Sequence, residues 1–113
     1  MLPKIREHFN LEISLARLAI DSNDPASAWR HLGRAHILGQ FHAGPHLKVH
    51  WLMFVFGIKT RRLAEVFAQI PRLVLAAPGS WTKKAPVGNT GLSDVGIFQP
   101  LEIPDDLKKI LKN

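Results

Sequence analysis

Apolar positions in the first 77 residues recur at spacings of three and four, the period of an amphipathic helix, and turn-forming clusters divide that pattern into segments. The first segment, about Pro3 to Ile20, opens on a proline and stops before Asp21-Ser22-Asn23-Asp24. Asp24-Pro25 supplies an N-cap followed by a proline at the first helical position, which predicts a second helix to about Gln40. Gly44-Pro45 repeats that grammar for a third helix to about Ile58. The polar hinge Lys59-Thr60-Arg61-Arg62 leads into a fourth, to about Ala77. Pro71 is expected to kink or split the fourth helix, because proline removes a backbone donor and its ring clashes one turn back.

From Pro78 the period is lost. Ala77-Pro78-Gly79-Ser80, Pro86-Val87-Gly88-Asn89-Thr90-Gly91 and Pro100 place turn-formers every few residues. Trp81, Val87, Leu92, Val95, Ile97, Phe98, Leu101 and Ile103 are nevertheless too many apolar side chains for a solvated tail, so residues 78–113 are expected to wrap over the helices. A short last helix is expected over about Pro104 to Leu111, with Asp105 and Asp106 at its positive end and lysines at its negative end. The prediction is an all-α single domain: a small antiparallel bundle of about four helices, a Pro/Gly-rich C-terminal extension and a terminal helix. No internal repeat is visible.

Placing each residue on a helical wheel, at about 100° per residue, turns this pattern into a candidate site. His8 and Glu12 fall near the centre of the apolar arc of the first helix. In the second, Ala28, Leu32, Ala35 and Gly39 define the inward face, which His36 joins and His31 borders, while Ser27, Arg30 and Arg34 lie opposite. The third helix is apolar all round except at Lys48 and Lys59. His46 and His50 lie roughly opposite these lysines and one turn apart, the spacing by which one helix points two imidazoles at one ion.

A buried carboxylate and several buried imidazoles need many hydrogen bonds or one cation to offset their desolvation. The candidate metal ligands are therefore Glu12, His36, His46 and His50, with His8 and His31 as possible additions and His42, in a turn, the weakest. Nitrogen and oxygen donors suit zinc, iron, copper, nickel or cobalt without distinguishing them. A carboxylate-bridged di-iron bundle is excluded, since no Glu-x-x-His motif occurs. Glu65 falls with Arg61, Arg62, Gln69 and Arg72 on the polar side of the fourth helix, where solvation is expected. Trp29 and Trp51 read as core residues. Gly88-Asn89-Thr90-Gly91 reads as a turn, because it lacks the lysine and the strand-loop-helix setting of a phosphate loop. No serine stands in a nucleophile-elbow context.

At 113 residues the chain is sized for one domain. The absence of cysteine excludes disulfides, thiolate nucleophiles and sulfur-ligated metal sites. A formal charge of +6 admits polyanionic partners, but the densest basic runs are only the pairs Arg61-Arg62, Lys83-Lys84 and Lys108-Lys109, and no aromatic-basic motif accompanies them. Nucleic acid is thus not the expected partner. The longest apolar run, Trp51 to Ile58, falls far short of the roughly 20 residues that span a bilayer, so no membrane partner is expected. Charges at Lys4, Arg6, Glu7, Glu12 and Arg17 interrupt any signal-peptide core, and a cytoplasmic location is the default expectation. The expected partners are a metal ion and a protein, the latter including a second copy of the chain.

The run Ala28-Trp-Arg-His-Leu-Gly-Arg-Ala-His-Ile-Leu-Gly-Gln40, then His46-Leu-Lys-Val-His-Trp-Leu-Met53, Ala77-Pro-Gly-Ser80 and Pro86-Val-Gly-Asn-Thr-Gly91 resembles a bacterial family catalogued as domain of unknown function 3703. Asp94-Val95, Phe98, Pro100, Ile103-Pro104 and Asp106-Leu107 extend the likeness through the tail. The resemblance implies a shared fold and the recurrence of His31, His36, His46 and His50, and it names no activity. The position of Gly33 is often acidic in that family, so a carboxylate that could join or cap the site is absent here. Three function classes follow: a metal-binding protein for sequestration, delivery or sensing; a metal-dependent enzyme; and an interaction module with a structural histidine core.

Overall fold

A computed structural model describes residues 1–82 and 86–112, among which there are five helices and no strand. They are α1 (Pro3–Asp21), α2 (Pro25–Gly39), α3 (Ala43–Lys59), α4 (Leu63–Thr82) and α5 (Asp105–Lys112). The Lys83-Lys84 pair lies outside the described residues. No helix among those described is long and apolar enough to cross a membrane.

The start of α2 follows from its sequence. Pro25 occupies the first turn and Asp24 caps it, its carboxylate accepting from the Ser27 amide at 3.3 Å and the Ser27 hydroxyl at 2.8 Å. α1 packs on α2 and α3 on α4, with α2 against α3 joining the two pairs. Phe9, Ile13 and Ala16 of α1, Ala28, Trp29, Leu32 and Ala35 of α2, and Val49, Met53 and Phe56 of α3 form one core, which Leu107 of α5 completes. Burying each larger side chain contributes about 1.5–3 kcal/mol. Gly39 permits a close approach of α1 to α2: a Cβ there would stand 2.9 Å from the Phe9 ring and 3.0 Å from Pro45.

Glu12 faces inward, as the wheel predicts, but its partners are on α2. Arg34 donates from Nε to one carboxylate oxygen at 2.8 Å, and His31 Nδ1 lies 2.7 Å from the other. Arg34 also binds Asp106, tying α1, α2 and α5 together through one guanidinium. This side chain, expected to point into solvent, is instead 19% exposed. A planar donor fork that reaches two carboxylates offsets the cost of burying the first of them.

The largest departure concerns α4. Pro71 does not split it, and the helix runs through Pro78 to Thr82, five residues beyond the expected end. Both prolines lie on the exposed side, where water can reach the carbonyls that lose a donor. The inward face carries Glu65, Gln69, Ala76 and Ser80, all buried, and Arg72, half-buried. The outward face carries Leu63, Phe67, Ile70, Val74 and Trp81, between 48% and 74% exposed. The polar face of α4 is thus turned to the interior and its apolar face to the outside. Glu65, expected to be solvated, is 1% exposed, and Trp51, expected in the core, is 54% exposed.

Candidate metal centre

Three imidazoles meet between α2, α3 and α4. His46 and His50, one turn apart on α3, face His36 on α2, and their ring centroids are all 4.8 Å from one another. The Nε2 atoms form a nearly equilateral triangle: His36 to His46 3.0 Å, His36 to His50 3.1 Å, and His46 to His50 3.1 Å. All three residues are buried, at 2–6% exposure.

The other nitrogen of each ring is committed to an acceptor. His36 Nδ1 lies 2.5 Å from the backbone carbonyl of Asn89, which can only accept, so this nitrogen carries the proton. His46 Nδ1 lies 2.9 Å from the Ser80 hydroxyl, which itself donates to the Gln40 carbonyl at 2.7 Å and therefore accepts from the ring. His50 Nδ1 lies 2.6 Å from Gln69 Oε1. The amide orientation of Gln69 is set by its NH2, which donates to Glu65 at 2.8 Å and to the Gly91 carbonyl at 2.9 Å. Each ring is thereby held as the Nδ1–H tautomer, and three Nε2 lone pairs point at one another with no proton between them. Such an arrangement is repulsive unless a cation occupies the junction.

Burial pushes all three imidazoles toward the neutral form. His50 is lowered from 6.5 to about 3 and His46 to about 4, in each case chiefly by desolvation. His36 is lowered well below 6.5 by desolvation and by the two neighbouring histidines. Neutral imidazole is the form that ligates a metal.

The rest of the polar shell comes from α4 and the segment after it. Glu65 accepts from the Ser93 hydroxyl at 2.6 Å and the Ser93 amide at 3.1 Å, so a carboxylate anchors the Gln69 amide that orients His50. Asn89 binds the Gly96 and Gln99 carbonyls at 2.9 and 2.7 Å and accepts from the Gly91 amide at 2.7 Å, holding the loop whose carbonyl receives His36. Gly91 has a positive φ of 78°, and a Cβ there would stand 2.6 Å from the His36 ring, so only glycine fits. A cavity of about 260 Å³ opens onto the triangle, lined by the three histidines, Arg72 and apolar side chains including Leu75, Ala76, Pro78, Ile97 and Phe98.

Of the residues singled out from the sequence, His36, His46 and His50 converge, and they are the residues able to share one ion among those described. Glu12 does not join them, because Arg34 and His31 take both of its oxygens. His31 is engaged by Glu12, His8 is half-buried on α1, and His42 caps α3 without a side-chain hydrogen bond of its own. Sequence reasoning missed Glu65, Gln69, Ser80 and Asn89. A signal was present for the first three: positions 65, 69 and 80, with Arg72 and Ala76 between them, keep one face of a helix at steps of four and three.

The model of the family described as "Protein of unknown function (DUF3703)" matches residues 3–111. The chain belongs to that family. No curated protein and no solved structure matches it. At Gly33, a Cβ would press on Thr90 at 3.1 Å, within the loop that presents the Asn89 carbonyl to His36.

The neutral imidazoles make stability depend on pH in a definite direction. Their folded pKa values lie below the unfolded value of 6.5, so the unfolded chain binds protons that the folded chain refuses as pH drops through that value. The metal-free protein should lose up to about 1.4 kcal/mol per pH unit for each of the three below this point. For His46 and His50 the loss should level off near pH 4 and 3. Urea unfolding at pH 7.5, 6.5 and 5.5 measures this, and a midpoint unchanged between 7.5 and 5.5 contradicts it.

Proposed function

We propose that the chain is a metal-binding protein that holds one divalent transition ion on the Nε2 atoms of His36, His46 and His50. The observation that carries this reading is the convergence of three buried lone pairs whose tautomers are fixed from behind. Nitrogens 3.0–3.1 Å apart lie on a circle of about 1.8 Å radius, so an ion at the usual zinc–imidazole distance of about 2.0–2.1 Å sits about 1 Å from their plane. The triad then caps one side of the ion and leaves the other free. An all-imidazole set suits zinc, copper, iron or nickel.

A site built for storage closes the coordination shell with protein ligands, whereas three ligands and an adjoining cavity are the pattern of a centre with an open position. Three neutral ligands leave the ion's full charge available to polarise water or a bound oxygen, and this favours a role in handling a small ligand, including catalysis, over sequestration. Gln69, Ser80 and the Asn89 carbonyl orient the ligands, and Glu65 strengthens Gln69 as acceptor. Elemental analysis and zinc titration of untagged protein test the reading. One equivalent is expected, with affinity reduced at least 100-fold in His50→Ala, about 10–100-fold in Gln69→Ala, and unchanged in Glu12→Gln and His42→Ala. Uptake below a tenth of an equivalent, or equal losses in Glu12→Gln and His50→Ala, contradicts it.

We further infer that the outer face of α4 meets a second copy of the chain. Leu63, Phe67, Ile70, Val74 and Trp81 follow the four-three spacing of a helix–helix seam while standing 48–74% exposed. These five side chains offer about 100 Å² each, or about 1,000 Å² across a symmetric pair, the lower bound for a specific interface. Light scattering after gel filtration should give a dimer, and the double substitution Phe67→Glu, Val74→Glu should give a monomer that still takes up metal. A wild-type monomer at about 100 μM concentration contradicts this.

A further inference from the structure

The cavity over the histidine triangle has a chemistry of its own. Its volume of about 260 Å³ exceeds the roughly 150 Å³ of an engineered apolar cavity that accepts benzene, so it has room for a ring or short chain with a head group. Leu75, Ala76, Pro78, Ile97 and Phe98 supply apolar wall. Arg72 is the one charged side chain among the described residues that line it, and no carboxylate does. Arg72 is held in place by two backbone carbonyls, donating to Ala68 at 2.8 Å and to Val95 at 2.9 Å. Burial opposes the charge of Arg72, and the nearby Glu65 carboxylate, held by Gln69 and Ser93, favours it.

On the reading that His36, His46 and His50 hold an ion, we propose that this cavity binds a small monoanion with an apolar body, such as an aromatic or short-chain carboxylate. Its head completes the ion's open face on the side of Arg72, and its carbon skeleton lies against Leu75, Ile97 and Phe98. Three neutral imidazoles leave the ion's double charge undiminished, and the guanidinium adds another in a setting of low polarity, where an anion is strongly favoured over a neutral or cationic ligand. The apolar wall selects against compact, strongly hydrated anions, since these gain nothing from it and lose their water.

Cobalt(II)-loaded protein, whose visible absorption reports the coordination shell, tests this with benzoate, acetate, phosphate and benzylamine as probes. Benzoate is expected to shift the spectrum and to bind at least tenfold more tightly than acetate or phosphate, with no response to benzylamine. Leu75→Trp and Ile97→Trp, two independent ways of filling the cavity, should each weaken benzoate at least tenfold while cobalt uptake stays at one equivalent. Arg72→Met should weaken it about tenfold, and Arg72→Lys should restore part of the loss. Equal affinities for benzoate and acetate, or indifference to both tryptophan substitutions, overturns the ligand class and leaves the metal reading standing. Failure to take up cobalt overturns both.

Discussion

The interior of this protein is organised by three hydrogen bonds made at the backs of three imidazoles. The Asn89 carbonyl, the Ser80 hydroxyl and the Gln69 amide oxygen each accept a hydrogen bond from an Nδ1–H, and in doing so they decide where the Nε2 lone pairs go. The arrangement places demands on the whole chain. α2 and α3 must bring their inward faces within hydrogen-bonding distance, α4 must turn a glutamate, a glutamine and a serine inward, and the segment after α4 must return to lay one carbonyl against His36. Each of these costs burial of polar groups that a simpler core would avoid. The compensation is that the Nδ1 atoms and the Glu65, Gln69, Ser80 and Asn89 side chains are all paired, and that the three Nε2 lone pairs left over share one point in space.

That demand explains why α4 departs from the usual rule of apolar side inward. An orienting shell for the imidazoles has to be polar and has to be buried, and one helix face can supply both conditions only by sacrificing its contact with the apolar core. Leu63, Phe67, Ile70, Val74 and Trp81 then face outward, where their burial requires another surface. The inverted helix thus links the inner chemistry to the exposed apolar face. Its two prolines fit the same logic, since both lie on the exposed side and leave the hydrogen bonds of the inward face intact.

How much of this was legible in the sequence depended on whether a residue's role shows in its own periodicity. His36, His46 and His50 stand on apolar arcs, so a helical wheel finds them without any tertiary knowledge. The same wheel finds Glu12 and misassigns it, because inward direction does not say which neighbour is met; Arg34, read as outward, curls back to reach it. Glu65 and Gln69 were hidden by the opposite error, in which a polar stripe is taken as solvent-facing by default, and Ser80 by the expected end of the helix at about Ala77, although steps of four and three run through all three along α4. The Asn89 carbonyl could not be found from residue types at all, since every residue has one; only the positive φ of Gly91 and the anchored Asn89 side chain mark the loop as fixed.

The locking of all three histidines as neutral Nδ1–H tautomers with converging Nε2 lone pairs can be read directly by long-range proton–nitrogen NMR of the metal-free protein at pH 7. Three imidazoles with a protonated, exchange-protected Nδ1 and a bare Nε2 are expected, and zinc is expected to move the Nε2 resonances of these three while leaving His8, His31 and His42 in place. A proton on Nε2 in any of His36, His46 and His50, or a zinc-induced change at His31 in place of one of them, would contradict it.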